Sequence, residues 1–581
     1  MILLLIIAVL VVVVSYYRWQ LDYWKRRGIP GPPGIPFLGN LYSLTDRSRP
    51  VGLVVKEWTK VYGKVYGIQE GLRRTLVVSD VEIIRELFMT KFECFYGRKV
   101  NTGKAAGLHR TMITRLKYKH LSCPVLYLLV KTHKLLLLLS SQKIQRYRCS
   151  ASRVRATWRT PGHSKANHVL AGDVENDARV HLFESQGMRW KRLRAIASPA
   201  FSSGALKKIR PTVEDSVLAL IELFDKRADQ RAFDILTFYK QFAMDVISRI
   251  AMGQKGSRMF VDDKMSSVDK IFRRNMRHPI FFTAVIAPIF RVPLRKLFFL
   301  TASKLKQSTS PAIFEKIYRA IDARIEERER TVAVGDEASN PIDFIDFFLD
   351  ARAEQKFDSH VEFTRTDAHV TKQLTREEIA AQCFMFLLAG FDTTANSLAY
   401  VTYLLAKNSE SQRRLQEEID HFCCSEAVSY ETLGSMRYLD CVIKEGLRMY
   451  PLASNANSRR CMKSTTLGHI QVEEGEYVLA DTFTLHHSPE VWGEDADEFR
   501  PERWMDKERP VAAWLSFGLG PRQCIGMRLA RMEEKLVLAH LLKRYDIVAT
   551  CDTENSLTLR GSMTISPASV TVQLRRRKVV L

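Results

Sequence analysis

The 581-residue sequence predicts a mainly α fold with a smaller β region, set behind an apolar N-terminal segment. Three observations carry this. Long helical patterns dominate from about residue 185 onward, while short strand-like runs such as Thr75-Leu76-Val77-Val78 alternate with helix-like ones in the first hundred residues. The chain also begins with Met1–Val14, an unbroken run of Met, Leu, Ile, Ala and Val.

That run, with Ser15, Tyr16 and Tyr17, precedes the first charge at Arg18. About 17 residues is the lower limit for a helix that spans a bilayer. Tyr16, Tyr17 and Trp19 suit the interface, and Lys25, Arg26 and Arg27 follow on the expected cytoplasmic side. A cleaved signal peptide would carry a positive leading region and a small-residue cleavage site, and neither is present, so residues 1–17 are read as an uncleaved transmembrane anchor. Residues 18–40 form a connector. Its GIPGPPGIPFLGN stretch, Gly28–Asn40, holds four prolines and is excluded from helix and from a central strand, so a stiff extended spacer is expected between the anchor and a globular body at 41–581.

One helix is explicit. Thr375-Arg376-Glu377-Glu378 is a capping-box start, and no Pro and a single Gly occur from Ile379 to about Lys407. The pattern is apolar nearly all round, which places the helix through the core. Its middle carries AGFDTT, Ala389–Thr394, where packing alone would favour Leu; buried polar groups there need partners or a task.

Ten cysteines (94, 123, 149, 383, 423, 424, 441, 461, 524, 551) show no metal-cluster spacing and read mostly as reduced, buried thiols. Cys524 is the exception. It lies in FGLGPRQCIG, Phe517–Gly526, behind a glycine-rich loop and before a helical pattern from Met527 to about Leu542. Glycines allow close backbone approach, a helix N-terminus favours a thiolate, and Arg522 offers a fork to a carboxylate. Five specified residues at this spacing arise by chance in such a chain on the order of once in ten thousand.

This decamer resembles the haem-ligand loop of the cytochromes P450, in which a Cys thiolate is the proximal iron ligand. Four further stretches fit in the family's order: WKRLR (190–194), AGFDTT, KEGLR (444–448) and FRPERW (499–504). The resemblance implies a cytochrome P450 fold carrying haem b, with Cys524 on the iron and Phe517, Gly520 and Gly526 shaping the loop. It implies Trp190, Arg194, Arg522 and Arg459 at the haem propionates, although Arg460 stands beside Arg459 as an alternative. It implies Thr393 and Asp392 as the catalytic pair that brings protons to bound oxygen, with Gly390 where the distal helix opens. Glu445, Arg448 and Arg503 are implied as a structural triad.

The resemblance is nearest to animal microsomal members, and among them to nematode family thirteen. That implies an oxidoreductase: a monooxygenase of the endoplasmic-reticulum membrane, catalytic domain facing the cytoplasm, acting on a lipophilic small molecule (xenobiotic, steroid or fatty-acid type). Electrons would come from NADPH through cytochrome P450 reductase, with cytochrome b5 a second candidate donor. A basic cluster of Arg522, Arg528, Arg531 and Lys535 is expected to dock an acidic redox partner. The Phe-rich stretch His278–Leu300 reads either as an element dipping into the bilayer surface or as core. The distal helix, Leu452–Ala456 and Gly561–Pro567 are the candidate pocket segments. A haem-thiolate isomerase that uses no O2 is the second enzyme reading, against which the Asp392–Thr393 pair argues.

One block stands apart. From Cys94 to Gly172 there is no Asp or Glu, although about an eighth of residues are ordinarily acidic; the chance of such a gap is on the order of 10⁻⁵. Fourteen of the Lys and Arg behind the net charge of +24 fall between Asn101 and Gly172. The block has few interleaved aromatics and no nucleic-acid motif, so no specific nucleic-acid partner is expected. Family members run almost directly from a segment like Phe95–Asn101 into one like Ala171–Trp190, which makes roughly residues 102–169 an insert. It reads either as a partner-binding insertion or, with its homopolymeric leucine and absent periodicity, as translated non-coding sequence. An inactive chain, owing to this insert, is the further alternative to the monooxygenase reading.

Overall fold

The computed structural model describes residues 2–46, 48–99, 178–261, 268–269, 271–272, 310–333, 343–350, 374–423, 428–506, 508–561 and 564–577. Contacts divide the chain into Met1–Gly103 with His168–Leu581, and Lys104–Asn167. The second unit lies wholly outside the described residues, as do the expected insert at 102–169 and the Phe-rich stretch His278–Leu300.

Helix α1 (Ile2–Leu21) runs four residues past the expected limit at 17, and its Leu3–Leu21 portion is long and apolar enough to cross a membrane. The connector does not stand off as a spacer. Trp24 is 4% exposed, donates through Nε1 to the Ile68 carbonyl at 3.1 Å, and lies on Gly67, where a Cβ would come 2.1 Å from its ring. The proline run then follows the sheet edge: Pro30 offers its carbonyl to Gly67 N–H at 2.8 Å, and Ile35 and Gly39 form a bridge that continues to Glu70. Proline lacks a donor but keeps an acceptor, so an edge is the one place in a sheet where it can pair.

Helix α2 (Val51–Tyr62) leads into β1 (Val65–Glu70) and β2 (Arg73–Val78), an antiparallel hairpin with Val65 opposite Val78. The expected strand at 75–78 is the buried half of β2. The sheet is completed from far along the chain by β3 (Ser458–Arg460) and β4 (Tyr477–Ala480): β4 pairs parallel with β2, and β3 antiparallel with β4. A three-stranded sheet joins Phe233–Asp234, Tyr545–Val548 and Thr571–Arg576.

Everything else that positions the site is helical: α3 (Gly187–Ala197), α4 (Ser203–Asp225), α5 (Ile235–Met252), α6 (Ser310–Ala333), α7 (Arg376–Lys407), α8 (Arg437–Met449) and α9 (Met527–Arg544). Helix α7 is the axle, packed by α5, α6, α8 and α9. Both capping-box bonds are present, Glu378 N–H to Thr375 Oγ1 at 3.2 Å and Thr375 N–H to Glu378 Oε2 at 3.1 Å. Its 32 residues are buried along most of their length, near 48 Å at about 1.5 Å per residue. The helix continues unbroken through Gly390, whose missing Cβ lets Ile247 of α5 approach; a methyl there would lie 3.0 Å from Ile247 Cδ1.

Candidate active site

One stripe of α7 breaks the burial. Ala389 is exposed and Met385, Leu388, Gly390 and Thr393 are partly so, although the residues that flank them are buried. Met385, Ala389 and Thr393 are spaced four apart and share a face. An open face halfway along a core helix requires an internal hollow beside it.

Cys524 is the other open element. The loop before it turns through Gly518 and Gly520, both at positive φ (72° and 71°), and a Cβ on Gly520 would sit 2.0 Å from the Phe88 carbonyl oxygen. Cys524 N–H donates to the Phe517 carbonyl at 2.8 Å, and α9 begins three residues later. Among the described residues Cys524 and Cys551 are the exposed cysteines, while Cys383, Cys423, Cys441 and Cys461 are buried thiols. Desolvation nevertheless pushes the Cys524 thiol up, because its open surface faces the protein's inside. The backbone N–H groups of Gly526 and Met527, and Arg194 and Arg98, pull the other way without winning. A metal on the sulfur would reverse this, since a coordinating thiol is deprotonated outright.

Four arginines gather about this sulfur. Arg522 is 4% exposed, with its guanidinium carbon 4.5 Å over the Trp190 ring and Nη2 donating to the Ser185 carbonyl at 2.7 Å. Arg194 donates to the Gln523 carbonyl at 2.8 Å. Arg459 is 1% exposed, lies 4.3 Å over Phe88, and reaches only carbonyls of its own strand entry, Ser458 and Ala456. Arg98 donates to Ala456 and Arg522 carbonyls. Arg460 is half-buried and its Nε too is buried without a partner among the described residues, but it is Arg459 that Arg98 and Arg522 repel.

Among the described residues no carboxylate pairs with any of the four, and the Nε of Arg98, Arg459 and Arg522 are buried without a partner. Burial presses all of them downward, and repulsion by neighbouring arginines adds to it for Arg98, which falls to about 10, and for Arg459 and Arg522, which fall well below the arginine range. A guanidinium does not give up its proton in a protein, so the cluster calls for an anion that the described residues do not supply. A flat prosthetic group with two carboxylates and an iron fits that demand: open sulfur on one side, glycines allowing close approach, orphaned guanidinium donors at the rim.

Behind the loop a second buried arginine cluster is fully matched. Arg448 holds Glu445 with two bonds of 2.9 Å, and Arg503 Nε reaches Glu445 Oε1 at 2.7 Å, all three at 0–1% exposure. Trp504 Nε1 adds a bond to Glu445 Oε2 at 3.0 Å. His486 ties this cluster to the cysteine loop. Its Nε2 accepts from Leu515 N–H at 2.8 Å, its Nδ1 lies 3.2 Å from the Arg448 carbonyl, and burial beside Arg448 holds it neutral. Neither His486 nor Arg98 carries a sequence signal beyond proximity to a motif.

On α7, Thr393 donates its hydroxyl to the Ala389 carbonyl one turn back, which leaves its oxygen as an acceptor on the open face. Asp392 points elsewhere. It is 2% exposed, accepts from Asn396 Nδ2 at 3.0 Å and from the Thr564 hydroxyl, and lies 3.6 Å from Lys240 Nζ. Lys240 in turn holds Asp269 at 3.0 Å.

The expected redox-docking cluster is corrected. Arg522 belongs to the interior cluster, Lys535 is buried and donates to the Leu433 carbonyl at 2.8 Å, and Arg531 is paired with Asp440. Of the four, Arg528 is exposed and Arg531 partly so.

Comparison with known proteins agrees with this geometry. The family profile described as Cytochrome P450 matches residues 29–120 and 159–572. Three Caenorhabditis elegans proteins are similar over nearly the full length. "Putative cytochrome P450 CYP13A1" is 41% identical, covering 98% of this chain and 98% of its own. "Putative cytochrome P450 CYP13A10" is 39% identical with 97% of each covered, and "Putative cytochrome P450 cyp-13B1" 39% with 99% of each. The chain belongs to the cytochrome P450 family: haem-dependent monooxygenases with a cysteine thiolate on the iron. Redox partners and lipophilic substrates follow for the family in general.

Proposed function

We propose that this chain is a membrane-anchored monooxygenase that hydroxylates a lipophilic small molecule of xenobiotic, steroid or fatty-acid type. The overall reaction is RH + O2 + NADPH + H⁺ → ROH + H2O + NADP⁺, with the two electrons relayed by a flavoprotein reductase and cytochrome b5 as a further donor. Haem bound at the cysteine loop supplies oxygen activation. Cys524 is the thiolate, made compatible with a close approach by Gly520 and Gly526 and backed by Phe517. Arg459, Arg522, Arg194 and Trp190, joined by Arg98, hold the two carboxylates. Thr393 presents an acceptor oxygen to the reacting side, and Asp392, tied to Lys240, is the buried end of a path along which protons reach it. Glu445, Arg448 and Arg503 lock the scaffold behind.

The observation that carries this reading is the acid-free arginine cluster around an inward-open cysteine. The reduced carbon-monoxide difference spectrum of membranes containing the chain tests it. A thiolate-type Soret band is expected; its absence overturns the reading. Cys524→Ala removes the band, whereas Thr393→Ala keeps it and diverts NADPH to peroxide. Turnover without NADPH would instead favour an isomerase.

Helix α1 supports an anchor, and the basic residues after it support a cytoplasmic catalytic domain at the endoplasmic reticulum. Protease treatment of sealed microsomes should degrade the catalytic domain; its protection would reverse the orientation. For residues 102–169 we favour translated non-coding sequence; the unmatched span 121–158 in the family comparison supports this for the middle of the block, while 102–120 and 159–169 fall inside the matched ranges. Transcripts joining the codons near Asn101 to those near Leu170 are expected to dominate, and abundant peptides from the block in native protein would refute this.

A further inference from the structure

The turn between the strands Leu559–Arg560 and Ser566–Pro567 is a candidate pocket wall, and it is stitched to its surroundings by three bonds. Ile565 N–H donates to the Leu452 carbonyl at 2.9 Å, joining it to the other candidate wall after Pro451. Tyr400 of α7 donates its hydroxyl to the Ile565 carbonyl at 3.0 Å. The third bond is different in kind. The Thr564 hydroxyl donates to Asp392 Oδ2, the oxygen that Asn396 also serves, while Oδ1 faces Lys240.

Both ends are buried, Thr564 at 9% and Asp392 at 2% exposure. The turn has little freedom to find another seat: Gly561 sits at φ +118°, and a Cβ there would be 2.1 Å from the Thr564 carbonyl oxygen. A buried carboxylate needs its donors, and loss of the Thr564 hydroxyl leaves Oδ2 held by Asn396 alone, free to turn toward Lys240.

We propose that Thr564 is a positioning residue through which the substrate-facing turn holds the side chain of Asp392 in the orientation proton delivery requires. A molecule that presses on the turn then bears on the acid through one hydroxyl. Val has nearly the shape of Thr; what Val lacks is the donor.

The inference rests on the monooxygenase reading, so the experiment begins where that reading is tested. Wild-type holoenzyme must show the thiolate-type carbon-monoxide band and oxidise at least one of 7-ethoxycoumarin, testosterone and lauric acid with NADPH and reductase; failure on all three, or no band, counts against the reading. Given both, Thr564→Val is expected to keep the band and lower product formed per NADPH by roughly fivefold, short of the hundredfold or more carried by a direct proton donor. Thr564→Ser, which keeps the hydroxyl, restores wild-type coupling. Hydrogen–deuterium exchange of substrate-free holoenzyme supplies a readout independent of turnover: exchange rises in 564–567 and in 389–396 for Val and not for Ser. Should Val lose the band, Thr564→Ala takes its place. Wild-type coupling in the variant without the hydroxyl, unchanged exchange in both segments, or a Ser variant as defective as Val overturns the proposal.

Discussion

Two arginine clusters lie buried on either side of the cysteine loop, and they differ in one respect. Around Glu445, every guanidinium has a carboxylate or carbonyl: Arg448 also reaches the carbonyls of His486 and Ala496 at 2.6 Å, and Arg503 those of Asp495 and Glu498. Around Cys524, Arg98, Arg194, Arg459 and Arg522 face one another with no acid among the described residues and with orphaned Nε atoms. Both clusters cost desolvation. The first recovers it from its own neighbours; the second finds no anion among the described residues to recover it. A complete buried network therefore marks scaffold, and an incomplete one of a single sign marks a site.

The comparison breaks first at Glu445. Glu445→Ala leaves Arg448 and Arg503 as uncompensated buried charges and should cost about 3–5 kcal/mol, measured by urea unfolding or, below the stability threshold, as loss of soluble protein. Wild-type stability in that variant would end the distinction. Arg459→Met should act with the opposite sign on the empty protein: apoprotein stability holds or rises, because a repelled charge is gone. Transfer of haem to apomyoglobin should then speed up about ten- to a hundredfold, the equivalent of about 1.5–3 kcal/mol for a hydrogen bond to a charged group. An apoprotein destabilised by Arg459→Met would show that the cluster is satisfied by groups of the chain itself.

The smallest effect concerns a third kind of buried charge. Glu533 of α9 is 4% exposed, and burial, with Glu534 adding repulsion against the Thr394 hydrogen bond, pushes it up to about 8. An acid, unlike an arginine, can resolve a missing partner by keeping its proton. Its folded state holds a proton that the unfolded chain releases from about pH 4.5 upward. Its contribution to stability is thus full below pH 4.5 and is lost as pH rises toward 8. Glu533→Gln should flatten the fall of thermal midpoint with pH across that window, and an unchanged slope would place a partner on Glu533.

Much of this was legible in the sequence where a residue's task is local. The Thr375–Glu378 capping box, the unbroken run to Lys407 and the glycines before Cys524 act through neighbours a few positions away, so spacing reveals them. The triad was legible only by resemblance, because Glu445 and Arg503 are 58 positions apart. What escaped had no local trace. Arg98 looks like any surface arginine until β3 and the cysteine loop close over it, and Thr564 is an unremarked residue of a turn until it meets Asp392 across 172 positions. Lys535 and Arg531 looked like a docking face because helical charge spacing does not say which side the core occupies.

Trp24 in its slot on Gly67 has a practical corollary. The border between what can be cut away and what must stay lies between α1's apolar residues and Gln20, which accepts from Arg74 at 2.9 Å, rather than at the proline run. Deleting residues 2–13 removes an apolar stretch whose described side chains are exposed, whereas Tyr17 already rests on Phe37 of the connector, ring centroids 4.7 Å apart. Deleting through Arg27 pulls an indole from the wall of the sheet and leaves a void where it stood, so a shortened enzyme designed at the prolines would begin life with a hole in it.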